Sequence, residues 1–170
     1  MKKAFSLPLL ALLFACEMSV AGKYVEVDKT SQTLRAFDDG RLVLITRVST
    51  GKRDSWTPNG TFRVGEKYAI HYSTLYHHAA MPYSVQVRGN IFIHGFSYVP
   101  QWPDSHGCIR VPLDGTNPAK QFFDWVEPGT PVRITGHWTK AQDHNPISYP
   151  PAIRKASQRH LYDRVRFRRS

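Results

Sequence analysis

The sequence predicts a mainly β domain, a sandwich or distorted barrel with one short helix. Three observations carry this: short runs that alternate polar and apolar residues, turn chemistry between them at close intervals, and a single segment with helix start and stop signals. Lys23 to Asp28 alternates with period two, as a strand with one buried face does. Gln32 to Phe37 alternates again, Asp39-Gly40 supplies a two-residue hairpin turn, and Leu42 to Val48 returns as a third strand. Thr57-Pro58-Asn59-Gly60 is turn chemistry ahead of a strand over Thr61 to Val64. Val85 to Arg88, Gly89-Asn90 and Ile91 to Ile93 read as a second hairpin. The helix is expected after Asn117 as its cap, with Pro118 in the first turn and Phe122, Trp125 and Val126 facing inward. Glu127-Pro128-Gly129-Thr130 stops it, and Pro131 to Ile134 returns as a strand. There is no internal repeat.

The chain has 170 residues, 41% of them apolar, which suits one domain with a real core. Its ends read differently. Residues 1–21 have the form of a secretory leader: Met1-Lys2-Lys3, an apolar run from Ala4 to Ala15, and the small-residue exit Ser19-Val20-Ala21. The run is short for a permanent membrane span. Within it, Leu13-Phe14-Ala15-Cys16 resembles a lipobox, although Phe14 fits that slot awkwardly. Simple cleavage near Gly22 and lipidation of Cys16 both remain open, and either places the protein outside the cytoplasm, in the periplasm or cell envelope. The folded domain is expected over 22–136, followed by a basic, proline-containing tail over 137–170. The formal net charge of +10 owes much to that tail. In an exported protein such charge argues against nucleic acid as the partner. It suits an anionic wall or membrane surface, or else a tail that is merely solvated. No structure is assigned to residues 153–167, whose apolar face is narrow.

Export gives the second cysteine its meaning. Thiols outside the cytoplasm usually pair, and with Cys16 removed or acylated, Cys108 has no partner in the chain. A lone buried cysteine can be inert packing. The neighbours of this one argue for chemistry: His94-Gly95, a loop containing Tyr98, Pro100 and Trp102, then Ser105-His106-Gly107-Cys108-Ile109-Arg110. A thiol attacks as thiolate and needs a base or a positive charge beside it, which a histidine supplies near neutral pH. His106, two residues away in an extended segment, would share a face with Cys108 and leave little room for a substrate carbonyl. His94 ends an apolar strand that can aim its ring at a site built by another segment. His94 is therefore favoured as the base, with His106 the open alternative. A zinc site from His94, His106 and Cys108 lacks the paired ligand spacing of familiar sites, so no metal or other cofactor is expected. His71, His77 and His78, beside Tyr72 and Tyr76, read as exposed loop residues or as a cleft wall. Tyr98 and Trp102 either close over a bound peptide or plug their own loop.

Ser-His-Gly-Cys-Ile-Arg with His-Gly upstream resembles the active-site signature of the L,D-transpeptidases, the YkuD family. Val48-Ser49-Thr50-Gly51, Thr57-Pro58-Asn59-Gly60-Thr61-Phe62, Met81-Pro82-Tyr83 and Gly89 to Gly95 match the same family's pattern in order, so the resemblance covers about Tyr24 to Ile134. Val111 stands where leucine or methionine is more usual. The resemblance implies a YkuD-like β-sandwich or distorted barrel in which Cys108 is the nucleophile and His94 its base. It implies that the Gly95 carbonyl orients that imidazole. His106, Gly107 and Cys108 would supply backbone donors to the oxyanion or shape the turn, and Ser105 would hold it. Arg110, with Tyr83 and Trp102, would meet the substrate. The implied substrate is a peptidoglycan stem tetrapeptide, attacked at its third residue with loss of D-alanine. The acceptor would be an amine: another stem, a free D-amino acid or a lysine of an acceptor lipoprotein. With water as acceptor the activity becomes an L,D-carboxypeptidase or amide hydrolase, and a wall-binding module without chemistry is the alternative from another class.

Overall fold

The computed structural model describes residues 22–137. The expected leader, and the expected tail from residue 138 on, lie outside them. Among the described residues there are nine strands in two sheets and one α-helix. Strand β1 (Lys23–Asp28) buries Val25 and Val27 completely and leaves Tyr24 and Glu26 on its other face, as its alternation requires. It pairs antiparallel with β2 (Thr33–Asp38), which pairs in turn with β3 (Arg41–Arg47). Between them Asp39 and Gly40 both take positive φ, 47° and 78°, the conformation of a tight primed turn. β4 (Gly60–Arg63) and the last strand, β9 (Pro131–Thr135), complete a five-stranded sheet in the order β3-β2-β1-β9-β4, with β1 and β9 parallel.

The second sheet runs β5 (Lys67–Tyr72), β6 (Ala80–Arg88), β7 (Ile91–Phe96), β8 (Ile109–Pro112) in spatial order. Its first three strands are antiparallel, and β7 and β8 are parallel. Parallel neighbours need a long crossover. Here it is the loop between His94 and Cys108, so the two halves of the sequence motif lie side by side on adjacent strands. The core forms between the sheets: Val25, Val27, Leu34, Val132 and Ile134 from one, and Val85, Val87, Ile93, Ile109 and Val111 from the other. Each such side chain removed from water contributes on the order of 1.5–3 kcal/mol.

The helix α1 (Pro118–Trp125) starts where expected. Asn117, at φ 54°, caps it by accepting from the Lys120 N–H at 3.1 Å, and Pro118 occupies the first turn. Phe122 and Val126 are buried, whereas Trp125 is only half-buried. Its indole Nε1 is nevertheless shielded and without a hydrogen-bond partner, and Lys23 donates to its carbonyl at 3.0 Å. The helix packs on β7 at Gly95, where a Cβ would sit 2.4 Å from Leu113 Cδ2 and 3.2 Å from Ala119 Cβ. Gly95 thus sits where the Leu113 side chain and the helix residue Ala119 come close to β7, and a Cβ there would make them give way.

Candidate active site

β7 and β8 set the site by register. Ile93 lies opposite Ile109 and His94 opposite Arg110. Side chains alternate between faces, so Ile93, Ile109 and Val111 enter the core while Phe92, His94, Cys108 and Arg110 face the other way. Those four line a cavity of about 820 Å³ including its open mouth. Its far wall is the segment after β5: Ser73, Thr74, Leu75, Tyr76 and Ala79. The two motif halves, 14 residues apart in sequence, are brought together.

His94 is buried, 5% exposed, and its Nδ1 lies 3.0 Å from the Gly95 carbonyl oxygen. A carbonyl can only accept, so Nδ1 carries the proton and Nε2 is left as the basic nitrogen. Burial pushes the imidazole down to about 4; the Gly95 bond opposes this, and the charges of Arg110 and, less, His71 reinforce it. Cys108 is half-buried, and its thiol is directed at the Asn90 carbonyl, with Sγ 3.6 Å away. Burial raises it above the ordinary thiol value of 9.0, while the Phe92 N–H and the Arg110 charge pull the other way. Both shifts disfavour charge. Burial thus favours a thiol and a neutral imidazole over a thiolate–imidazolium ion pair.

The turn that carries Cys108 is clamped from behind by residues 49–57. Ser49 exchanges both backbone hydrogen bonds with Arg110 at 3.0 Å, and its hydroxyl donates to the Trp102 carbonyl at 2.7 Å. The Thr50 carbonyl accepts the N–H groups of Asp104 and Ser105. Thr50 is itself gripped by the buried Gln32 amide, which takes its N–H at 2.8 Å and donates to its hydroxyl at 2.9 Å. Gly51 must be glycine, because a Cβ there would lie 2.0 Å from the Ser55 carbonyl oxygen and 2.7 Å from the Thr57 nitrogen. Within the turn, the Ser105 hydroxyl donates to the Cys108 carbonyl and accepts the Gly107 N–H at 3.1 Å. Ser105 therefore holds the turn, and Gly107, at φ 117°, shapes it with its N–H already engaged.

Of the expected substrate contacts, Arg110 lines the cavity, bound to Asp104 at 2.9 Å and stacked 4.3 Å over the Phe96 ring. Tyr83 and Trp102 do not line it. Tyr83 adopts φ 55°, which breaks the alternation of β6 and turns its ring onto Phe123 of α1. Trp102 sits in the loop behind the turn, where its carbonyl is held by Ser49. His106 lines the cavity too, but its ring stacks on Tyr76 at 4.6 Å. His71 stacks on Phe92 at 4.8 Å and belongs to the wall, whereas His77 and His78 are exposed and outside the lining. Among the described residues no three of His, Cys, Asp and Glu cluster as a metal site would require. The sequence gives no sign of the Gln32 and Thr57 clamps or of Leu75 in the wall, whereas Tyr76 belongs to the patch for which a cleft wall is one expectation. The proximity of Thr57-Pro58 to the motif in fold, not in sequence, is what reveals the clamps.

Residues 22–134 match the family model of the L,D-transpeptidase catalytic domain, YkuD. Among solved structures, the chain is similar to an L,D-transpeptidase from Xylanimonas cellulosilytica, with 33% identity over 69% of this chain and 62% of that one and a TM-score of 0.60. It is also similar to one from Stackebrandtia nassauensis, with 26% identity over 76% and 62% and a TM-score of 0.63. A third is a cysteine-to-serine mutant of the Enterococcus faecium L,D-transpeptidase, with 28% identity over 68% and 50% and a TM-score of 0.58. The matches thus span between half and 62% of these structures' own length. Among curated proteins, none matches the chain.

Proposed function

The chain belongs to the L,D-transpeptidase (YkuD) family, and from that premise we propose that it is a peptidoglycan L,D-transpeptidase working through a thioester on Cys108. The observation that carries this reading is the shared cavity face of β7 and β8, which brings a free thiol and a tautomer-fixed imidazole to one site. That a cysteine was the residue replaced in the Enterococcus faecium relative supports it. The substrate is a stem tetrapeptide bound with its third carbonyl over Sγ. As sulfur attacks, the neutral His94 Nε2 takes the thiol proton, so the charge separation arises only in the transition state. The carbonyl oxygen becomes an oxyanion received by backbone N–H groups of the turn. Collapse breaks the amide bond, and His94 returns the proton to the departing D-alanine nitrogen. An acceptor amine then repeats these steps in reverse order, losing its proton to His94 and displacing the thiolate. Arg110, steadied by Asp104 and Phe96, is suited to hold a substrate carboxylate at the cavity edge.

The acceptor is a second stem, a D-amino acid or a lipoprotein lysine, and the protein works in the cell envelope after export, with or without a lipid on Cys16. Its basic tail is suited to an anionic wall or membrane surface. Incubation of the protein with defined disaccharide tetrapeptides, followed by mass analysis, tests the reaction. We expect release of D-alanine together with 3–3 dimers or exchanged D-amino acids, and no products from Cys108→Ala. Bare tripeptides as the sole product would make it a carboxypeptidase. An unchanged tetrapeptide would leave only a wall-binding role.

A further inference from the structure

We infer that Thr57 is a positioning residue that aims the Cys108 N–H at the developing oxyanion by gripping the Gly107 carbonyl from behind. Thr57 is fully buried. Its hydroxyl accepts the Gly51 N–H at 2.9 Å and donates to the Gly107 oxygen at 2.8 Å. A hydroxyl has one proton; with an N–H on one side and a carbonyl on the other, the direction of both bonds is fixed.

The Gly107 C=O and the Cys108 N–H belong to one peptide group, which is planar and trans, so they point in opposite directions. Thr57 is not part of the cavity lining. It borders a separate recess behind the turn, with Lys29, Trp56 and Asn59. A carbonyl drawn towards that recess turns the Cys108 N–H the other way, to the side on which Cys108 meets the cavity. Such a clamp is needed here because Gly107, at φ 117°, has no side chain to oppose rotation of this peptide. Ser105 engages the Gly107 N–H and the Cys108 carbonyl, the outer groups flanking that peptide, and leaves the peptide itself to Thr57. Thr57 is anchored in turn: the buried Lys29 donates to its carbonyl at 2.7 Å.

The inference rests on the thioester reading, and the test separates the two. Acyl-enzyme formation on a stem tetrapeptide passes through an oxyanion; alkylation of the same thiol by iodoacetamide, a displacement at a saturated carbon, does not. Thr57→Val keeps the shape and removes the proton donor. It should slow acylation about 10²-fold, the usual order for loss of an oxyanion contact, and leave alkylation essentially unchanged. Thr57→Ser should restore acylation. Equal losses in both reactions would show a merely structural role, and no loss in either would overturn the proposal outright. Should wild-type protein form no acyl-enzyme while still alkylating, the thioester reading falls and takes this inference with it. A measurement on unmutated protein guards against a variant that does not fold. When a peptide aldehyde forms its tetrahedral adduct on Cys108, the Cys108 amide proton should move downfield in the NMR spectrum and that of Gly107 should not. A downfield shift at Gly107, or none at Cys108, contradicts the proposal.

Discussion

The two walls of the cavity are built on different principles. The wall carrying Cys108 is tied to the rest of the fold by backbone and buried side-chain hydrogen bonds, from Gln32 through Thr50 to Ser105 and from Thr57 to Gly107. The opposite wall, Ser73 to Ala79, is mainly tied to itself. Ser73 accepts the N–H groups of Leu75 and Tyr76, and its own N–H meets the Ala79 carbonyl at 3.0 Å. Its contact across the cavity is the stacking of Tyr76 on His106, and Leu75 stays 62% exposed. Chemistry that depends on tenths of an ångström resides on the over-determined wall. The self-contained wall is suited to choosing what enters.

This contrast is open to attack from both sides. The largest effect is expected on the tied wall: His94→Asn should lower the rate of acyl-enzyme formation by about 10²–10⁴, the range for loss of a general base, with substrate binding kept. Steady-state kinetics with a stem tetrapeptide would check it, and a change confined to KM would move the base elsewhere, His106 being the next candidate. Gly51→Ala should come second. Its Cβ meets backbone rather than a yielding side chain, so the clamp must shift, at a cost of roughly 1–3 kcal/mol by analogy with overpacked cores. Denaturant unfolding would measure the loss, and acylation should weaken with it because Thr57 is displaced. The smallest effect belongs to the free wall. Tyr76→Ala should alter KM a few-fold and leave kcat and stability nearly untouched, as expected for a partly exposed aromatic contact. A collapse of kcat in that variant would erase the distinction between the walls.

What was legible in the sequence follows the same division. β1 and β2 show through their alternation because one face is buried, β3 through the Asp39-Gly40 turn before it, and the β6–β7 hairpin through Gly89-Asn90. β5 does not, because Lys67–Tyr72 is only partly buried or exposed along its length and no face is selected. β8 is four residues long and hidden inside the motif that was read for its chemistry. Cys108 and His94 were legible as a thiol and an imidazole flanking one loop, although only the parallel register shows that they share a face. Nothing local in the sequence announces the left-handed backbone that turns Tyr83 onto the helix. The clamps of Gln32 and Thr57 join residues 18 and 50 positions apart, and such long-range hydrogen bonds leave no periodic trace.

The central claim is that sulfur and imidazole rest uncharged and exchange a proton only on attack. The pH dependence of Cys108 alkylation by iodoacetamide tests it most directly. With the thiol raised above 9.0 and His94 lowered to about 4, protonated imidazole is absent at neutral pH and cannot stabilise a thiolate there. The rate should climb steadily as pH rises through neutrality and level off only on the alkaline side. A plateau already present between about pH 5 and 8 would reveal a preformed thiolate–imidazolium pair and contradict the account.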